Sequence, residues 1–137
     1  MREIKFRGYN EKRGVWLYGS HIINRGAHFV APDEFANGQT WEDYEVIPET
    51  VGQFTGMYDK QGRELYEGDI VTLDEKTEWE FFGGTGIVSY IDYQFVYEIP
   101  RKRKADGRRV YSELIMLTPT IVGNVTDNPE LLKGDDK

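Results

Sequence analysis

The residue groupings most open to chemistry in this 137-residue chain are two acidic turns. Asp59-Lys60-Gln61-Gly62 and Glu67-Gly68-Asp69 set carboxylates beside glycines, the composition of loops that gather oxygens around a hard cation such as Ca²⁺ or Mg²⁺. Their spacing is not that of an EF-hand loop. The same residues make ordinary turns, in which an Asp side chain accepts nearby backbone N–H groups. An acid–base pair would draw on Glu3, Glu64 or Glu67 with an Asp, but in a chain holding 24 acidic residues carboxylates meet without catalytic purpose. His21 and His28, the only histidines, have no assured common face. Neither belongs to a His-Glu-x-x-His pair, and no Gly-x-Ser-x-Gly elbow occurs. With no Cys, disulfides, thiolate metal sites and cysteine nucleophiles are excluded. These residues imply no catalytic centre, no metal site and no cofactor.

A different chemistry, contact with phosphate, is carried by Arg101-Lys102-Arg103-Lys104-Ala105-Asp106-Gly107-Arg108-Arg109. Six of these residues are basic and one is acidic, so the segment is +5, and within a chain of net charge −7 the rest carries −12. Cations on a ribbon can follow phosphates, so Arg101, Lys102, Arg103, Lys104, Arg108 and Arg109 are the candidate nucleic-acid-binding residues. Tyr93, Tyr97 and Tyr111 lie close in sequence and would add base stacking where exposed. The acidic net charge argues against a general nucleic-acid binder. A basic tip equally suits docking on the acidic surface of a second copy, or keeping a long hairpin soluble. Trp16, Trp41 and Trp79 offer aromatic faces for a ligand. Trp16 and Trp79 read as core, whereas Trp41, between Gly38-Gln39-Thr40 and Glu42-Asp43, reads as exposed.

The elements that must position these residues are almost all strands. Ile4 and Phe6 alternate with charges over 3–7, the period of a half-buried strand. After the turn-rich 8–14, Val15-Trp16-Leu17-Tyr18 pairs back as an antiparallel hairpin, prolonged by His21-Ile22-Ile23. Residues 24–39, interrupted by Gly26, Pro32, Asn37 and Gly38, read mainly as loop. Residues 42–47 form a helical turn or a short strand, ended by Pro48. Glycines at 52, 56, 62 and 68 divide 51–73 into short runs, the last of which, Ile70-Val71-Thr72-Leu73, begins a strand.

Trp79, Phe81 and Phe82 form an aromatic island before the hinge Gly83-Gly84-Thr85-Gly86. Over 86–99, alternation places Ile87, Ser89, Ile91, Tyr93, Phe95, Tyr97 and Ile99 on one buried face. A second run, 110–117, returns across the basic segment, with Asp106-Gly107 as its turn, to give a long hairpin with a basic tip. Ile121-Val122-Gly123-Asn124-Val125 is the last strand, Asn128 caps a turn opened by Pro129, and 133–137 is a disordered tail. No repeat and no amphipathic helix is present, and the close turn spacing points to an all-β barrel or sandwich. Within that class, Gly68-Asp69-Ile70-Val71 followed by Gly86-Ile87-Val88-Ser89 suits a small SH3-like barrel.

Three ordered blocks of the chain, 2–7, 51–73 and 121–132, resemble the YopX family of bacteriophage and prophage proteins. Gln53-Phe54-Thr55-Gly56 through Tyr66-Glu67-Gly68-Asp69-Ile70-Val71 is similar to the family's central signature, and Gly123-Asn124 with Asn128-Pro129-Glu130-Leu131-Leu132 to its terminal one. Phe6-Arg7-Gly8-Tyr9 departs from the Phe-Arg-Ala-Trp common in relatives, and 24–48 carries no family wording. The resemblance implies a β-rich, phage-encoded protein with an SH3-like region and no assigned activity or active site. The expected organisation is an N-terminal hairpin and loop region (1–50), an SH3-like barrel (51–132) with a protruding basic hairpin (86–117), and the tail. The expected role is a non-enzymatic, cytoplasmic binding or assembly module, homo-oligomeric, in contact with nucleic acid or a host protein and with no membrane. A host-protein modulator and a small enzyme using surface carboxylates are the alternatives.

Overall fold

The computed structural model describes residues 3–73, 85–91, 93–98, 111–113 and 119–132. Among them the chain is all-β, with strands joined by turns, loops and short 3₁₀ pieces and no α-helix. It divides into two compact units, Met1–Gly56 and Met57–Lys137.

In the first unit β1 (Phe6–Asn10), β2 (Val15–Asn24), β3 (Ala27–Ala31), β4 (Glu45–Val46) and β5 (Gly52–Tyr58) lie in the order β4-β3-β2-β1-β5. All neighbours are antiparallel. The loop 11–14 closes β1 on β2, and Arg25-Gly26 closes β2 on β3. Both turn residues have positive φ, 52° and 82°, and Asn24 pairs with Ala27. A two-residue turn of this kind matches the right-handed twist of its strands. The sheet curls far enough for β4 to meet β1, where the Ile47 N–H donates to the Tyr9 carbonyl at 3.0 Å. That approach depends on Gly8, since a Cβ there would sit 2.8 Å from Val46. Val30, Tyr44, Val46 and Phe54 are buried within this unit.

The second unit holds β6 (Glu64–Tyr66), β7 (Asp69–Leu73), β8 (Thr85–Ile91), β9 (Gln94–Glu98), β10 (Tyr111–Glu113) and β11 (Pro119–Asn124). β7 to β11 form a second sheet in the order β10-β9-β8-β7-β11. Leu65, Val71, Val88 and Tyr97 make the core here, with Met57, Phe95 and Ile121 packed against it. A bulge between Ile121 and Gly123 bends β11. It brings Gly123 against Asn128, whose Oδ1 would lie 2.5 Å from an added Cβ and accepts from the Asn124 N–H at 3.2 Å. Gly123→Ala displaces that cap, and we expect it to lower the unfolding free energy in urea by about 1–2 kcal/mol.

Several sequence expectations change. The described strands form two open antiparallel sheets rather than a closed small barrel, because β10 and β11 end the second sheet and do not pair with each other. The first strand begins at Phe6 and runs through Gly8, Tyr9 and Asn10, while Ile4 is exposed. Residues 27–31 form a strand rather than loop. Residues 41–46 supply both a 3₁₀ turn, Trp41–Tyr44, and the short strand β4.

The run 86–99 is not one strand. Ile91 pairs with Gln94, so the chain reverses between them, and Tyr93 takes a φ of 67°. Val88 then faces Tyr97 across the hairpin, and both are buried. Reversal exchanges odd for even positions, which is why the expected face of Ile87, Ser89, Ile91 and Tyr93 is not the core. The aromatic island 79–82, Ile99, the turn 106–107, most of the run 110–117 and the tail 133–137 lie outside the described residues.

Candidate functional site

Asp59, the first of the carboxylates open to chemistry, is wholly enclosed in its turn. Its Oδ1 accepts from the backbone N–H of Gln61 at 3.0 Å and of Arg63 at 2.8 Å. Its Oδ2 accepts from Arg63 Nε at 3.0 Å and from the Ile121 N–H at 3.1 Å, and lies 2.8 Å from Arg63 Nη2. Arg63 Nη2 also donates to the Ile121 carbonyl at 2.7 Å. The side chain of Asp59 is fully buried while that of Arg63 is half exposed. Burial alone pushes the Asp59 carboxyl up. The Arg63 and Ile121 amides, the guanidinium and the Gln61 amide outweigh it and hold the carboxyl below its ordinary range. A carboxylate so engaged has no lone pair to spare for a metal or a substrate proton; it pins the β5–β6 turn to β11.

Asp69 is likewise buried, and its Oδ2 accepts from the Tyr66 N–H at 2.7 Å. Around it the Gly68 N–H donates to the Val88 carbonyl at 2.8 Å, and the Val125 N–H donates to the Gly68 carbonyl at 2.9 Å. The motif Tyr66-Glu67-Gly68-Asp69 therefore holds β6, β7, β8 and the end of β11 together. Its φ of 95° suits Gly68 alone among common residues.

Asn10 was not singled out by the sequence. It is buried, and its Nδ2 donates to the Glu45 carbonyl at 2.6 Å and the Asp43 carbonyl at 3.2 Å, with the Glu42 carbonyl at 3.5 Å. Its Oδ1 accepts from the Arg13 N–H at 2.6 Å. One amide thereby fastens the 3₁₀ turn 41–44 to the β1–β2 loop. Beside it lies a groove of about 480 Å³ whose lining includes Glu11, Lys12, Glu42, Glu45 and Val46. Lys12 is committed to Asp43 at 3.2 Å and lies 3.8 Å from Glu42. The Thr40 amide first, and Lys12 second, hold the Asp43 carboxyl low.

The two histidines share a face, which their spacing alone did not assure. The β2–β3 hairpin sets His21 diagonally opposite His28, with rings stacked at 5.1 Å and His21 Nε2 2.9 Å from His28 Nδ1. Burial first, and the neighbouring His28 second, lower the His21 pKa. Among the described residues no group of three or more His, Asp or Glu side chains converges as a metal site would require.

Arg101, Lys102, Arg103, Lys104, Arg108 and Arg109 lie outside the described residues. The strand ends that their segment joins are described, and Glu98 and Tyr111 are register partners. Of the tyrosines expected beside it, Tyr97 is buried, and burial pushes its phenol up. Tyr93 is 94% exposed but sits at the opposite end of β9. The five-residue strand β9 separates it from Glu98, the last described residue before the basic segment, by about 15 Å. Trp41 is exposed, as its flanking residues suggested, and packs edge-on against Phe29 and Phe35. Trp16 is partly buried under the Arg7 guanidinium, 4.9 Å from its ring centre, and Trp79 lies outside the described residues. No described helix is long and apolar enough to cross a membrane.

Three solved chains match this one. One is the crystal structure of protein EF1440 from Enterococcus faecalis, 19% identical, with a TM-score of 0.49 over 96% of this chain and 99% of that one. No curated protein matches. The family model for the YopX protein matches residues 5–133, a span that contains the Asp59 pin, the Tyr66–Asp69 turn and the Gly123–Asn128 cap; the chain belongs to the YopX family.

Proposed function

We propose that this protein is a non-enzymatic binding or assembly module whose contact surface is the cationic segment 101–109, and that its first partner is another copy of itself. The observation that carries this reading is charge separation, with +5 in one connection and −12 elsewhere. The described strand ends support it. β7 ends, β8 begins, β9 ends and β10 begins at one end of the second sheet. The basic connection 99–110 and the connection 74–84, which carries Asp74, Glu75, Glu78 and Glu80 against Lys76, thus leave from that same end. Two copies meeting there bring opposite charges together. Among the described strands, the sheet edge at β10 offers a second means of association, while that of β11 is covered by the β5–β6 turn. The buried Asp59 and Asp69 favour a binding role over a catalytic one, since both carboxylates serve the backbone. An SH3-like character for the second unit and a phage context belong to the same proposal.

Nucleic acid is the second reading, favoured by the density of Arg and Lys. Tyr97 is buried and Tyr93 lies at the far end of β9, so among the tyrosines whose burial is described neither supplies stacking beside Glu98, and the reading rests on phosphate contacts. Light scattering at low salt should give a mass above 15.9 kDa that returns to the monomer value when Arg101, Lys102, Arg103 and Lys104 are replaced by Ala. A native monomer at every concentration overturns the self-association reading. Salt-sensitive binding to DNA or RNA by that monomer, lost in the same variant, would establish the second.

A further inference from the structure

We propose that His21 and His28 form a two-imidazole site for a borderline divalent transition ion, Cu²⁺, Ni²⁺ or Zn²⁺. The two nitrogens, His21 Nε2 and His28 Nδ1, are 2.9 Å apart. Two imidazoles bound to one tetrahedral ion at about 2.0–2.1 Å each have their nitrogens about 3.3 Å apart. An opening of about 0.4 Å, with the rings turned so that both nitrogen lone pairs aim at one point beside the N···N line, turns a hydrogen-bonded pair into a chelating one.

The scaffold is suited to this. Both histidines stand on strands rather than loops, and five consecutive register pairs, Ser20↔Ala31 to Asn24↔Ala27, fix their backbone positions. The tight Arg25-Gly26 reversal joins the strands directly. Phe6, its ring 5.4 Å from that of His21, supports one side of the pair. Both rings are only partly buried, so an ion has access and water can complete its coordination.

Imidazole is the ligand type that suits Cu²⁺, Ni²⁺ and Zn²⁺, whereas Ca²⁺ and Mg²⁺ require oxygens that this site does not offer among the described residues. With two ligands and no enforced geometry, affinity follows the intrinsic order Cu²⁺ > Ni²⁺, with Zn²⁺ below Cu²⁺. The ion would cross-link β2 to β3 and stabilise the hairpin by mass action.

The test is calorimetric titration of the untagged chain with each ion, alongside His21→Gln and His28→Gln. We expect one ion per chain, tightest for Cu²⁺, and a loss of at least about tenfold in affinity in either variant. Electron paramagnetic resonance of the Cu²⁺-loaded native protein supplies a readout that does not depend on the variants folding; two coupled imidazole nitrogens are expected. Absence of binding up to about 1 mM ion, native affinity retained in both folded variants, or a Cu²⁺ signal without two imidazole nitrogens overturns the proposal.

Discussion

Replacing Asn10 by Ala is expected to lower the unfolding free energy by about 3 kcal/mol, seen in thermal unfolding as a fall in midpoint of about 10 °C. The amide is buried and bonded on both sides, to the carbonyls of Glu45 and Asp43 and to the Arg13 N–H, with partners up to 35 residues away in sequence. Alanine removes the donor and the acceptor together and leaves buried backbone groups unpaired, which costs more than the bonds themselves contribute. Asn10→Asp keeps the acceptor for Arg13 but turns a carboxylate oxygen toward the carbonyls of 42–45, so it is expected to destabilise at least as much. A native-like midpoint for either variant would show that the 3₁₀ turn 41–44 is held by other contacts.

Asp59→Asn is the second large effect, again about 3 kcal/mol. The substitution keeps the size but removes the charge opposite Arg63 and offers an N–H₂ where two N–H donors already point. Because the folded carboxyl titrates below its unfolded value of 3.8, the folded state binds fewer protons than the unfolded one between the two pKa values. The Asp59 contribution is thus complete above pH 3.8 and declines as the pH falls through the lower folded pKa. Urea unfolding of the native and Asn forms should differ most near neutrality and converge in strong acid. A constant difference across pH would mean that charge plays no part in the pin.

What the sequence made legible was local. Alternation and turn residues identified the β1–β2 hairpin, and Asp59 accepting from Gln61 and Arg63 is the turn chemistry its neighbours suggest. The Ile121 N–H that completes the pin lies 62 residues away, and no spacing rule reaches it. The β2–β3 reversal was missed because Arg25-Gly26 lacks the usual Asn or Asp, although Gly26 could have indicated it. The reversal between Ile91 and Gln94 was hidden because alternation continues across a two-residue turn while the buried face exchanges. The histidine pair followed from that missed hairpin, since only the register of β2 against β3 brings the rings together.

The central proposal is a division of labour in which buried Asn and Asp side chains build the fold and the cationic segment makes the contact. Sedimentation velocity at low salt tests it most directly on the native chain, Asp59→Asn, and the variant with Arg101, Lys102, Arg103 and Lys104 changed to Ala, at a temperature where all three are folded. The account predicts self-association in the native chain and in Asp59→Asn, and monomers in the variant lacking the four cations. Association by the cation-free variant equal to that of the native chain would contradict it.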